Sequence, residues 1–236
     1  MPTHDSARIL ARRSFFSKLG FSLAGGAAVG AAGSPALAQS SEGGRFEPAR
    51  HAQDDWFDQI PGKHRYVVDA PNPEGFGDAL AFLNNYFNTN QNDYGLKDSD
   101  LAVVLIARHL STAFAYNEAI WAKYGKPIAE RNSFMDPKTK QAPTVNLFNA
   151  TGYGTQLPNR GNTIDALIKR GLRMGVCQVS TRGYAGAIAM ATGSTQDVVF
   201  EELKANLLPN ARLVPAGIVA VNRAQERGYT LATVER

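Results

Sequence analysis

The chain has a single cysteine, Cys177, among 236 residues. One thiol excludes an internal disulfide framework and any cysteine-clustered metal site. Two roles remain for it: a small buried apolar residue, or a thiol kept for chemistry. Histidine is scarce too. His4, His51, His64 and His109 are scattered, and no His/Cys/Asp/Glu group has ligand spacing, so no metal is expected. No Walker motif is present. Gly152-Tyr153-Gly154 lacks the remaining spacing of a dinucleotide fingerprint and does not follow a strand. Ser111 and Ser180 have no hydrolase elbow around them. No cofactor is therefore expected. A basic block interleaved with aromatics is also missing, which excludes nucleic acid as a partner. The soft apolar run from Leu19 to Gly33 has 15 residues and five glycines, short of the roughly 18–20 residues needed to span a bilayer.

That run nonetheless has a context. Arg12-Arg13-Ser14-Phe15-Phe16-Ser17-Lys18 precedes it, and Ser34-Pro35-Ala36-Leu37-Ala38 follows. Paired arginines, a short h-region and an Ala-x-Ala end are the parts of an exported bacterial presequence. The arginine pair with two aromatics and a lysine resembles the twin-arginine (Tat) consensus, a route that carries folded proteins. Residues 1–38 are thus expected to be a Tat-type signal peptide cleaved after Ala38, and the periplasm is the expected location. An uncleaved anchor or a buried helix is the competing reading. The leader also changes the charge. Four of the 25 basic residues (Arg8, Arg12, Arg13, Lys18) and one of the 21 acidic residues (Asp5) lie in it, which leaves 21 against 20. The remaining chain has no second run approaching a membrane span.

Residues 39–62 are polar and broken by Gly43-Gly44, Pro48 and Pro61, and read as a flexible linker with a short docking turn at Asp54-Asp55-Trp56-Phe57. From Lys63 to Arg236, strand and helix patterns alternate. Strands are predicted over 65–69, 101–107, 175–179, 212–215 and 229–234. The intervening helices are predicted over 76–88, 112–124 (with Gly125 as its stop), 163–173, 183–191, 196–207 and 218–227. The all-apolar run Leu101 to Ala107 suits a central parallel strand. Five strands separated by helices predict an α/β fold, a three-layer sandwich with a mainly parallel five-stranded sheet. Residues 126–162 interrupt the rhythm with four prolines and three glycines. This excursion is too long for an ordinary connection, and its Phe134, Phe148 and Tyr153 predict an ordered lid, a subunit contact or a surface loop.

In open parallel sheets, ligands bind beyond the carboxyl ends of the strands. Arg108 and His109 follow one strand. Cys177 lies in another, close to Ser180-Thr181-Arg182, which open the next helix. A helix N-terminus and an arginine both favour thiolate. If the strands are neighbours, His109 can act as proton acceptor for Cys177; a structural, hydrogen-bonded histidine is the alternative. Arg182 either tunes the thiol or holds carbonyls or an ion pair. Arg108 is expected to be structural, and Trp121 and Tyr124, at helical spacing, to be core.

Four segments together resemble the DsrE/DsrF-like sulfur-relay family: 101–109, 117–124, 167–177, and Leu213-Val214-Pro215-Ala216-Gly217 leading to Arg223-Ala224-Gln225-Glu226-Arg227-Gly228-Tyr229. The likeness covers about Lys63 to Val234, and its most specific element is Gly175-Val176-Cys177 after the Lys169-Arg170-Gly171 helix end. The resemblance implies a small α/β sandwich that assembles as a homo-oligomer, a trimer or hexamer. It implies that Cys177 stands at the sulfur-carrying position, taking sulfane sulfur as a persulfide and passing it to the thiol of an acceptor protein. An export leader and a long excursion distinguish this chain from the compact cytoplasmic members. A non-catalytic periplasmic binding or assembly module on the same fold is the alternative, with Cys177 in the core and the excursion building an interface.

Overall fold

Alternating strand and helix signals become an alternating chain path. The computed structural model describes residues 47–235. The leader expected over 1–38 and the first part of the linker lie outside the described residues.

Five strands form one all-parallel sheet: β1 His64–Ala70, β2 Leu101–Ala107, β3 Arg173–Cys177, β4 Ala211–Val214 and β5 Thr230–Thr233, in the order β4-β3-β2-β1-β5. Every residue of β2 is buried, because helices cover both of its faces. Helices α2 Pro73–Tyr94, α3 Glu118–Asn132, α4 Ile164–Lys169, α5 Gln178–Thr192 and α6 Gln196–Ala205 pack on one side. Two others, α1 Trp56–Gln59 and α7 Gly217–Gln225, pack on the other. The fold is therefore an α/β three-layer sandwich. The path explains the division of helices. From β1 to β4 the chain steps outward in one direction, and right-handed crossovers keep its helices on one face. From β4 it returns across the whole sheet to β5, and the same handedness puts α7 on the opposite face.

Local signals set many of the boundaries. Asn72 caps α2 by accepting the Gly75 N–H at 2.7 Å, Pro73 fits the first turn, and Gly95 ends the helix at φ 67°. Phe76, Leu80, Leu83 and Phe87 put the buried face of α2 on the sheet, each stabilising it by about 1.5–3 kcal/mol of removed apolar surface.

Three expectations need correction. The single helix expected over 112–124 is a 3-10 turn, His109–Ala115, followed by α3. Between them, Tyr116 and Asn117 are extended and bond to the segment after α6: Asn117 N–H donates to the Asn206 carbonyl at 3.0 Å. Gly125 does not stop the helix. It is buried within α3, where a Cβ would stand 2.0 Å from the Pro143 carbonyl oxygen, so its bareness lets the excursion approach. The linker expected up to residue 62 is not one in its second half. Trp56, Phe57 and Ile60 are buried against β1, β2 and α7, and the Tyr229 hydroxyl donates to the Phe57 carbonyl at 2.7 Å.

The excursion also resolves into ordered parts. Residues 126–132 complete α3. Beyond them, Phe134, Leu147, Phe148 and Leu157 are buried in the larger core. The Phe148 ring lies 4.5 Å from Phe114, 5.4 Å from Phe134 and 5.7 Å from Phe76. Buried Asn146 donates to the Phe114 carbonyl at 2.9 Å. The segment thus covers α2 and α3, as core rather than as a surface loop.

Candidate functional site

Successive side chains of a strand alternate between faces, and registered partners in neighbouring strands share one. Val67, Ile106 and Val214 belong to the α7-side core. Asp69, two residues beyond Val67, and Arg108, two beyond Ile106, project to that side. So does Cys177, which pairs with Val214. Asp69, Arg108 and Cys177 thus meet at the carboxyl edge of β1, β2 and β3, facing the start of α7.

That edge is where the connections diverge. The chain leaves β3 into α5 on one face and leaves neighbouring β4 into α7 on the other. Such a switch point opens a crevice between the two loops, the usual ligand position in open α/β sheets. Cys177 stands at it. It is the last residue of β3 and the N-cap of α5, and its Sγ accepts the Ser180 N–H at 3.5 Å. The residue is 6% exposed. Across the crevice α7 starts at Ala216 with no side-chain cap, leaving its first N–H groups directed outward. The sulfur thus caps one helix N-terminus, and a second helix begins at the same edge of the sheet.

Arg108 supplies a full charge. Its Nε and Nη2 donate to the two Asp69 oxygens at 2.7 and 2.8 Å, a bidentate fork. This hydrogen bonding raises the guanidinium pKa, against a lowering by burial, with smaller electrostatic contributions from Asp69, Glu235 and Cys177 itself. Gly217 brings α7 onto this arginine: a Cβ there would lie 2.6 Å from the Arg108 Cβ. Buried Ser111 fixes the turn after β2, accepting the Arg108 N–H at 3.1 Å and donating to the Ala70 carbonyl, while Pro71 accepts from Leu110 and Ser111.

His109 reaches the thiol by another route than its imidazole. Its backbone is left-handed, φ 54°, an uncommon conformation for a residue other than glycine. Its N–H donates to Ser180 Oγ at 2.8 Å, and the Ser180 N–H in turn meets the sulfur. The ring is exposed, with no hydrogen-bond partner among the described residues. Arg182 turns away. Its guanidinium lies 3.4 Å from Asp197 and stacks 4.0 Å above the Phe200 ring, both on α6. The guanidinium on the Cys177 side of the sheet is instead that of Arg108, which holds the Asp69 fork its expected structural role implies. Asp69 is the last but one residue of β1 and Arg108 follows the last residue of β2, but only the register of the two strands makes them partners.

The excursion does not shield this thiol. Its aromatic cluster lies on the α2 side of the sheet, opposite the face to which Cys177 projects. Among the described residues no group of three or more His, Cys, Asp or Glu is placed to hold a metal ion, and no helix is long and apolar enough to cross a membrane.

No protein-family model matches the chain, and no curated protein does. A solved structure similar to it is that of a protein of unknown function, MTH1491, from Methanobacterium thermoautotrophicum. The two share 14% identity over 72% of this chain and 98% of that chain, with a TM-score of 0.35.

Proposed function

We propose that this is an exported sulfur-handling protein of the DsrE-like kind, in which Cys177 carries sulfane sulfur as a persulfide. One observation carries the reading: the lone thiol stands at the switch point of the sheet, between two helix N-termini and beside Arg108. Each of these directs positive charge toward a bound sulfur anion. With thiosulfate as donor, the Cys177 thiolate attacks the outer sulfur. A new S–S bond forms, the bond to the sulfonate sulfur breaks, and sulfite leaves with the electron pair. An acceptor thiolate then attacks the terminal sulfur and releases Cys177 as thiolate. Val179, Ile218 and Val219, exposed in the first turns of α5 and α7, offer apolar contacts for the acceptor protein or for a second copy in a trimer or hexamer.

Incubation with thiosulfate or polysulfide followed by intact mass measurement tests this. One added sulfur atom, about 32 Da, is expected on the wild type and not on Cys177→Ser. No addition, or equal addition to both, overturns it. The second reading, a non-catalytic periplasmic binding or assembly module, is favoured by the low exposure of Cys177. A thiol that resists alkylation in the folded protein, with stability lost in Cys177→Ser, would select it.

A further inference from the structure

At the opposite edge of the sheet, where β3 and β4 begin, lies a cavity of about 330 Å³. Trp56, Ile60 and Ala211 give it apolar walls; Gln59, Asn210, Arg173 and Arg212 give it polar ones. No acidic residue lines it. We infer that this cavity binds a small organic anion, a carboxylate or phosphate ester with an apolar body, through the Arg173 and Arg212 guanidinium groups.

The charge inventory carries the inference. Apart from Arg173, the buried or half-buried arginines among the described residues are Arg65, Arg108, Arg170, Arg223 and Arg227, and each has a carboxylate partner within 4.0 Å. Arg173 is half-buried and has none among the described residues. Its fixed partner is neutral: Nη1 donates to Asn210 Oδ1. Asn210 is itself held in a left-handed turn, φ 60°, by donating to the Leu172 carbonyl and accepting the Met174 N–H on its own carbonyl. Arg212 is exposed and also without a carboxylate among the described residues, and its guanidinium lies 5.3 Å from the centre of the Trp56 ring. Both cations are therefore positioned by neutral groups, with donor capacity left over. Two positioned forks on one concave wall match an oxyanion. The volume suits a small molecule rather than a lone ion.

Gly175, between Arg173 and Cys177 on β3, lies behind Trp56. A Cβ there would crowd Ile106 Cδ1 at 2.7 Å and meet Trp56 Cη2 at an ordinary 3.8 Å, so the bare backbone makes room for Ile106.

Trp56 and Trp121 are the two tryptophans of the chain, and Trp121 lies in the other core. In Trp121→Phe, fluorescence reports the cavity alone. Titration with phenyl phosphate, benzoate and inorganic phosphate at constant ionic strength, repeated by calorimetry, should give saturable one-site binding to phenyl phosphate or benzoate. Arg173→Gln and Arg212→Gln should each weaken it by about tenfold or more, and Arg173→Lys by less, since charge is kept and the fork is lost. Arg160→Gln, an exposed arginine outside the cavity, should not change it. Circular dichroism checks that the variants fold. Absence of saturation below about 10 mM for both organic anions overturns the site. So does equal binding by the Arg173→Gln/Arg212→Gln double variant. Inorganic phosphate binding as tightly as phenyl phosphate overturns the organic part of the assignment.

Discussion

Removing the Asp69 carboxylate isolates the interaction that holds the candidate site together. Asp69 has 4% of its side chain exposed and Arg108 25%, and two hydrogen bonds of 2.7 and 2.8 Å join them. Asp69→Ala leaves the guanidinium at the crevice without its partner. Breaking a fully buried pair costs about 3–5 kcal/mol, and an exposed pair contributes less than about 1. Arg108 is a quarter exposed, so water recovers part of its solvation and the expected loss is about 2–3 kcal/mol. With an m-value of about 2 kcal/mol/M, the urea midpoint should fall by about 1–1.5 M at unchanged m. Asp69→Asn retains one acceptor and should lose about half as much. The deficit should persist in high salt, since the pair is only partly screened. A midpoint change below about 0.3 M would show that the fork is satisfied by solvent and positions nothing.

Other perturbations test separate parts of the argument. Arg108→Gln should slow alkylation of Cys177 at pH 7, whereas Arg182→Gln should leave the rate unchanged; equal slowing by both would remove Arg108 from the site. Gly175→Ala should destabilise by about 1–3 kcal/mol through overpacking, read from thermal unfolding. Phe148→Ala should cost about 3–5 kcal/mol by opening a cavity among Phe76, Phe114 and Phe134; a near-neutral result would make the excursion a surface loop after all. The last concerns pH. Hydrogen bonds from Lys123 and then Tyr124 hold the Glu202 pKa below its ordinary value. The folded pKa is depressed, so this stabilisation is complete above the ordinary carboxylate range and is lost as pH falls through the folded value. In Glu202→Gln the acid limb of the stability profile should be flatter.

The strand and helix succession was readable because burial imposes period. The run 101–107 is apolar throughout because β2 is covered on both faces, and Phe76, Leu80, Leu83 and Phe87 repeat at helical spacing because one side of α2 meets the sheet. Trp56 and Phe57 do not read as core in the sequence because a lone aromatic pair among polar residues has no period; only its contact with β1 and α7 makes it core. The break at Tyr116 was hidden for a related reason: it is made by bonds to residues 206 and 207, far away in sequence.

The chemistry divides in the same way. Sequence alone determined that there is one thiol, that it lies in a strand shortly before a helix, and that no second cysteine can pair with it. These are facts of composition and local order. That it ends the strand and caps the helix came from the fold. Tertiary structure decided which charge stands beside that thiol. Strand order and register bring Asp69, Arg108 and Cys177 to one edge, while the turn of α5 carries Arg182, closer in sequence, onto α6. A guanidinium's neighbours are set by the direction of its side chain and by the partners that hold it, and neither is encoded by its distance along the chain.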